Sequence, residues 1–263
     1  MKKSATAENA AKQKPIVFCD FDGTVTREDV TDRILEELAD PGWRELEATW
    51  VQGMIGSREC LERQMALVRA SSKQLNTLID AIALDPCFAS FYRFTEEAGI
   101  PFYILSDGFD YVIRRILRRA GADGELRNGK HLFTSSMEID DNRARVSFPH
   151  DARICEHGCA TCKPAIIRRL RRNHRPAIFI GDGLSDRFAV EESDLVFAKK
   201  QLLAHCRKHE IGCVPFETFA EIESTLESMF GQPENRLNHR AGKKAKNSKL
   251  LPLGVRSHIS FAD

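Results

Sequence analysis

Apolar residues fall along this chain in two kinds of pattern. Short unbroken runs at Ile16–Cys19, Phe102–Leu105, Ala177–Ile180 and Leu195–Ala198 are of strand length and suit strands buried on both faces of a parallel sheet. Between or after them, Tyr111–Ala120, Pro164–Leu170 and Phe219–Met229 repeat their apolar positions at helical spacing. Strands alternating with helices predict an α/β fold, a doubly wound parallel sheet of Rossmann type. Residues 29–98 break that alternation. The segments DVTDRILEELA, GWRELEATWVQGM, SRECLERQMALVRA, SKQLNTLIDAIA and FASFYRFTEEAG all read as helix, the third opening at Ser57 with a partial cap signal. An all-helical insert directly after the first strand is expected to act as a cap over one edge of the sheet. The catalytic core is then residues 15–28 and 99–231. The polar lead 1–14 and the tail 232–263 carry few large apolar residues and are expected to be disordered.

Composition narrows the partners. The formal net charge is +1, and the tail alone holds seven Lys/Arg against two Asp/Glu, so the remainder is mildly acidic. No nucleic-acid or membrane partner is expected from that balance. The arginines at 114–115, 118–119 and 168–172 flank apolar positions at helical spacing and are expected on solvated faces. The basic start is followed by no apolar run, and no stretch approaches the roughly 20 apolar residues of a membrane span. The expected location is cytoplasmic, where the eight cysteines serve as thiols or metal ligands.

Four short motifs carry chemistry. Asp20-Phe21-Asp22-Gly23-Thr24 follows the first strand, and the glycine permits a sharp turn that returns Asp22 towards Asp20. Carboxylates so close repel unless a cation or a shared proton intervenes, and Mg²⁺ with a substrate phosphate is the natural hard-ion solution. One acid can then attack phosphorus while the other handles the proton. Alone, this turn also suits a calcium loop or a solvated acidic turn. Ser106-Asp107-Gly108 ends the second strand before a helix, offering a hydroxyl and backbone N–H groups to a phosphate, although an ordinary helix cap looks the same. Lys163 opens a later helix and can offset phosphoryl charge, though most lysines are simply solvated. Gly181-Asp182-Gly183-Leu184-Ser185-Asp186 follows the third apolar run and supplies two more acids for a metal shell. Carboxyl ends of parallel strands form one edge, so the ordered set is expected to converge there.

In order and type these motifs resemble those of the haloacid dehalogenase-type phosphatases, in particular members like phosphoserine phosphatase with a cap between the first and second motifs. The likeness runs from Pro15 to Phe230. It implies Asp20 as nucleophile and Asp22 as acid/base. Ser106, Asp107, Gly108 and Lys163 would form the phosphate cradle. Asp20, Asp22, Asp182 and Asp186 would form the Mg²⁺ site, with Asp186 orienting it. The implied partner is a small phosphorylated metabolite. Glu28 and Asp29 follow the first motif, where phosphoserine phosphatases carry an acid for the substrate amine, so an amine-bearing substrate, a phosphotransferase or a non-catalytic phosphate binder stays open.

One cluster lies outside that set. Cys155, His157, Cys159 and Cys162 fall within eight residues, with His150 just upstream. The spacing suits a tetrahedral structural Zn²⁺ site pinning the loop before Lys163, against the alternatives of reduced thiols or a redox switch. Cys19, Cys60 and Cys87 are expected in the core. Trp43, Trp50, Met54 and Met65 are divided between substrate lining and the cap's own core, and Arg58 and Arg63 are expected in solvent.

Overall fold

The computed structural model describes residues 14–121, 126, 129–152, 155–171 and 175–230. The expectation for the tail 232–263 and, for all but Lys14, that for the lead 1–14 lie outside the described residues.

Strand β1 (Ile16–Cys19) is wholly buried and lies at the centre of a seven-stranded sheet of order β4-β3-β2-β1-β5-β6-β7. Its neighbours β2 (Phe102–Phe109) and β5 (Ala177–Gly181) run parallel to it, as do β3 (Leu132–Asp140), β6 (Leu195–Ala198) and β7 (Val214–Pro215) along the two wings. Only the edge strand β4 (Arg143–Ser147) is antiparallel. The α/β, doubly wound architecture expected from the alternation is present.

Strand residues alternate between faces, so β1 feeds two cores. Ile16 and Phe18 join a layer with Ile166 and Ile167 of α7 (Lys163–Leu170) and with Leu202 and Cys206 of α8 (Lys200–Lys208). Val17 and Cys19 point the other way, into a larger core shared with α6 (Asp110–Arg119) and α9 (Phe219–Phe230).

Five helices separate β1 from β2: α1 (Val30–Leu38), α2 (Trp43–Val51), α3 (Ser57–Met65), α4 (Ser72–Ala81) and α5 (Phe88–Glu97). Asp29 caps α1 through a 2.9 Å bond from the Asp32 N–H, and Ser71 with Gln74 forms a capping box on α4. The N-cap of α3 is Gly56, not Ser57, because the Ser57 hydroxyl is committed elsewhere, accepting the Ala160 N–H at 3.0 Å. Helix α5 packs onto the sheet. Phe91 meets Phe102 edge-on and Phe219 at 5.1 Å, and Phe88 meets Phe219 edge-on. Helix α4 is tethered to α6 by a two-pronged Arg115–Asp80 pair and by the Tyr111 hydroxyl donating to Asn76.

The hairpin β3–β4, the short β7 and helix α8 are elements that the apolar pattern did not mark. Strand β4 alternates half-buried and exposed residues without a large apolar run. Its turn, Asp141-Asn142, takes positive φ at both positions, the geometry of a tight hairpin. Trp43 and Met65 are buried, whereas Met54 is 65% exposed. Cys19 and Cys60 are buried and Cys87 is half-buried. All eight cysteines are unpaired. Among the described residues, no helix is long and apolar enough to cross a membrane.

Phe219 is fully buried at the junction of α5, α9 and β2. Phe219→Ala should therefore lower unfolding free energy by about 3–5 kcal/mol in urea titration. A loss below about 1 kcal/mol would show that α5 is not anchored through this ring.

Candidate active site

The sheet register explains why distant motifs meet. Cys19 pairs with Ile104 on one side and with Ile180 on the other. One residue further along β1 is Asp20; two residues beyond its partners stand Ser106 and Asp182. All three sit at the same edge, where parallel strands present their carboxyl ends.

The Asp22 turn depends on two glycines. Gly23 has φ +69, and a Cβ there would lie 2.3 Å from Asp182 Oδ2. At Gly108 an added Cβ would lie 2.5 Å from Asp22 Oδ2. Side chains at either position would push the acids apart.

Charge at this edge is dense and buried. Lys163 is 1% exposed and donates to Asp20 Oδ1 at 2.7 Å and to Asp186 Oδ1 at 2.5 Å. Asp182 receives the Thr24 hydroxyl on Oδ1 and the Lys200 ammonium on Oδ2, each at 2.9 Å. The Thr31 hydroxyl donates to Asp22 Oδ2 at 3.2 Å, yet Asp22 Oδ1 is buried with no partner. Burial, then the charge of Asp186, holds the Asp20 carboxyl well above the usual range despite Lys163. Burial, then Asp29, does the same to Asp22. Burial opposes the Lys163 charge, but Asp186 and Asp20 outweigh it and raise its pKa further. Too many negative charges share too little water.

The remaining motif residues separate by what their side chains touch. The Ser106 hydroxyl is buried and accepts the Gly108 N–H at 3.0 Å. The Asp107 carboxylate turns towards the lysine loop and accepts the Thr161 N–H at 2.8 Å. Asp186 belongs to the acid group with Asp20 and Asp182, whose ligand atoms lie within 4.8 Å of one another. Both its oxygens are already engaged, Oδ1 by Lys163 and Oδ2 by the N–H groups of Asp182 and Gly183. It holds the turn and the lysine together. The sulfur atoms of Cys155, Cys159 and Cys162 also lie within 4.8 Å of one another. His157 does not join them; its ring stacks on Phe188 at 3.6 Å. Arg58 pairs with Asp151 and Arg63 with Glu59, both largely in solvent.

Between the acids and the insert helices lies a cavity of about 280 Å³. Asp20, Asp22, Ser106 and Asp182 line its floor, while Asp29, Asp32, Glu47, Trp50, Leu61 and Gln64 line the side formed by the insert. Burial pushes Asp29 up to about 7 and Asp32 up to about 6. Sequence reasoning missed Lys200, Glu47 and Gln64. Lys200 stands two residues past the end of β6 and takes φ +47, so the strand-end rule could have found it. Nothing local distinguishes Glu47 and Gln64 from other helix residues.

An edge that gathers a buried lysine and three aspartates beside a serine is the arrangement shared by one large class of hydrolases. The model of the haloacid dehalogenase-like hydrolases matches residues 17–191, and the chain belongs to that family. Within it the chain is a phosphomonoester hydrolase. It is 30% identical over 222 residues to a 2-hydroxy-3-keto-5-methylthiopentenyl-1-phosphate phosphatase of Geobacillus thermodenitrificans, covering 83% of this chain and 98% of that one. To the phosphatase of the same name from Bacillus velezensis it is 32% identical over 219 residues, covering 82% and 91%. Two solved phosphoserine phosphatases share the fold. One is a phospho-aspartyl intermediate analogue (TM-score 0.61) and the other is substrate-bound (TM-score 0.62). Each is 17% identical and covers 81% of this chain and 99% of its own.

Removing the ammonium leaves Asp20 and Asp186 buried without their counter-charge. Lys163→Met should cost about 3–5 kcal/mol of stability at pH 7 without divalent metal. Both carboxyls already titrate above their unfolded values, and the substitution raises them further. A raised pKa adds its penalty as pH rises through it and none below the unfolded value, so the deficit should shrink towards pH 4. A deficit that grows on acidification would contradict this account of the cluster.

Proposed function

We propose that the chain is a Mg²⁺-dependent phosphatase that transfers the phosphoryl group of its substrate to Asp20 and then to water. The observation that carries this reading is the unpartnered, buried Asp22 Oδ1 beside Asp20, Lys163 and Ser106. A buried carboxylate oxygen without a donor is costly, and a cation or a leaving-group oxygen in the cavity relieves it. The oxygen donors of Asp20 and Asp182 suit a hard ion, with the backbone at Asp22 beside them. When bound, Mg²⁺ would neutralise phosphoryl charge and lower the repulsion among the acids.

The chain's own groups then divide the work. Lys163 holds Asp20 Oδ1 in place and adds positive charge near the phosphoryl oxygens. Ser106 and the N–H groups around Gly108 receive those oxygens. Burial, then Asp29, raises the Asp22 carboxyl, which suits it to give a proton to the departing oxygen and later take one from the water that attacks the aspartyl-phosphate. The insert helices serve as the cap that excludes bulk water.

The cap side of the cavity supports a particular leaving group. Lys200 is the one cation among its described lining residues, and it is tied to Asp182 and to the Gly23 carbonyl. Asp29, Asp32 and Glu47 face the space instead. A substrate carboxylate would meet these acids, whereas hydroxyl and carbonyl groups can hydrogen-bond with them and an apolar tail can rest on Trp50 and Leu61. The sequence segments CDFDGTVT, IPFYILSDGFDYV and VPFETF support the same choice as the two bacterial relatives. The proposed substrate is thus 2-hydroxy-3-keto-5-methylthiopentenyl-1-phosphate, an intermediate of methionine salvage. An amine-bearing phosphoester is the second reading that the acids favour.

A panel of phosphomonoesters ranked by kcat/KM tests the choice. The methylthiopentenyl ester should lead and phosphoserine should fall at least 100-fold behind; phosphoserine in first place would refute the cap argument. Asp20→Asn should reduce kcat at least about 10³-fold, and Asp22→Asn about 10²–10⁴-fold. Full turnover by Asp20→Asn with Mg²⁺ present would remove the mechanism.

A further inference from the structure

Three thiols converge where the phosphatase chemistry has no use for them. The sulfur atoms of Cys155, Cys159 and Cys162 lie within 4.8 Å of one another, Cys162 buried and the other two half-buried. They are more than neighbours. The backbone fixes the loop that carries them: the Cys155 N–H donates to the Ala152 carbonyl at 2.8 Å and the Cys162 N–H to the His150 carbonyl at 2.9 Å. Burial pushes the Cys159 and Cys162 thiols up, whereas at Cys155 burial is outweighed by nearby donors, which pull the thiol down. A bound cation would hold all three as thiolates.

We propose that these three cysteines form a thiolate site for one Zn²⁺ ion, separate from the Mg²⁺ site and independent of the substrate reading. Soft sulfur ligands select Zn²⁺ over Mg²⁺. Tetrahedral coordination at about 2.3 Å per bond places sulfurs about 3.8 Å apart, so the existing cluster needs only a small contraction. His157 is held away by Phe188, which leaves the fourth position to a solvent-derived ligand.

The site's place gives it a structural purpose. Its loop holds few apolar side chains, yet it joins three parts of the active-site wall. The Gly158 carbonyl accepts the Arg58 N–H at 3.0 Å, and the Ala160 N–H donates to Ser57 at 3.0 Å, both on α3 of the cap. The Thr161 hydroxyl donates to the Ser106 carbonyl at 2.8 Å. Lys163 follows Cys162 directly. An ion binding the three sulfurs ties the cap, the phosphate strand and the buried lysine to one point.

Cobalt(II) is the probe, because sulfur-to-cobalt charge-transfer absorption in the near ultraviolet arises from thiolates and not from carboxylates. Reduced, chelator-stripped full-length chain should bind one equivalent of Co²⁺ with that absorption. Zn²⁺ should displace it, millimolar Mg²⁺ should not, and Asp182→Asn should leave it unchanged. Cys155→Ser and Cys159→Ser should each weaken binding at least tenfold. A featureless near-ultraviolet spectrum from folded, reduced wild-type chain would overturn the proposal whether or not the variants fold. Undiminished affinity in both Cys155→Ser and Cys159→Ser, or absorption lost in Asp182→Asn, would overturn it too.

Discussion

One ammonium ion, buried among carboxylates, sets the arrangement of this site. Lys163 is held between Asp20 and Asp186, at the end of β1 and in the turn after β5, while its own backbone starts α7. A charge in such a place is tolerated only with its partners in position. The lysine loop, the first strand and the GDGLSD turn therefore have to take up their relative positions together. Asp186 spends its second oxygen on the turn's own N–H groups, so the turn and the ion pair support one another. What remains is an excess of negative charge around Asp20, Asp22 and Asp182, and that excess suits an edge proposed to receive a divalent ion and then a phosphoryl group.

The proposed selectivity belongs to a different part of the molecule. The groups at the sheet edge face any phosphoester alike, but the space beyond them is closed by α1, α2 and α3. There, acids whose carboxyls burial shifts upward stand beside an indole and a leucine. Such a wall can hydrogen-bond to neutral polar groups and accept an apolar tail, and it offers little to a carboxylate. The two solved phosphoserine phosphatases share the fold, which leaves each cavity to decide its own leaving group.

Three of the four motifs were legible because each sits towards the carboxyl end of a strand, and parallel strands bring those ends to one edge; Lys163 opens a helix instead. Asp20, Ser106 and Asp182 needed only the rule of the carboxyl edge and the register of three neighbouring strands. Side-chain direction was not legible. Asp107 lines the cavity beside Ser106 and Gly108, while its Oδ1 accepts the Thr161 N–H from the lysine loop. His157 was grouped with the cysteines by proximity in sequence, and its ring stacks on Phe188. The β3–β4 hairpin was hidden because an edge strand needs no continuous apolar run.

Sequence by itself determined the four strands β2-β1-β5-β6 of the sheet, the helical insert and the order of the reactive groups, since these follow from periodicity and from residue types at strand ends, while the motifs carried the family likeness. Tertiary structure decided which oxygens of those acids are already occupied, which acids and apolar residues of the insert face the cavity, and how α5 attaches to the sheet. The reason is physical. Periodicity is a local property that the chain carries wherever it goes, whereas the direction and charge state of a buried side chain are set by neighbours far away in sequence. Glu47 and Gln64 face the cavity only because α2 and α3 fold back over an edge built from residues 20, 106 and 182.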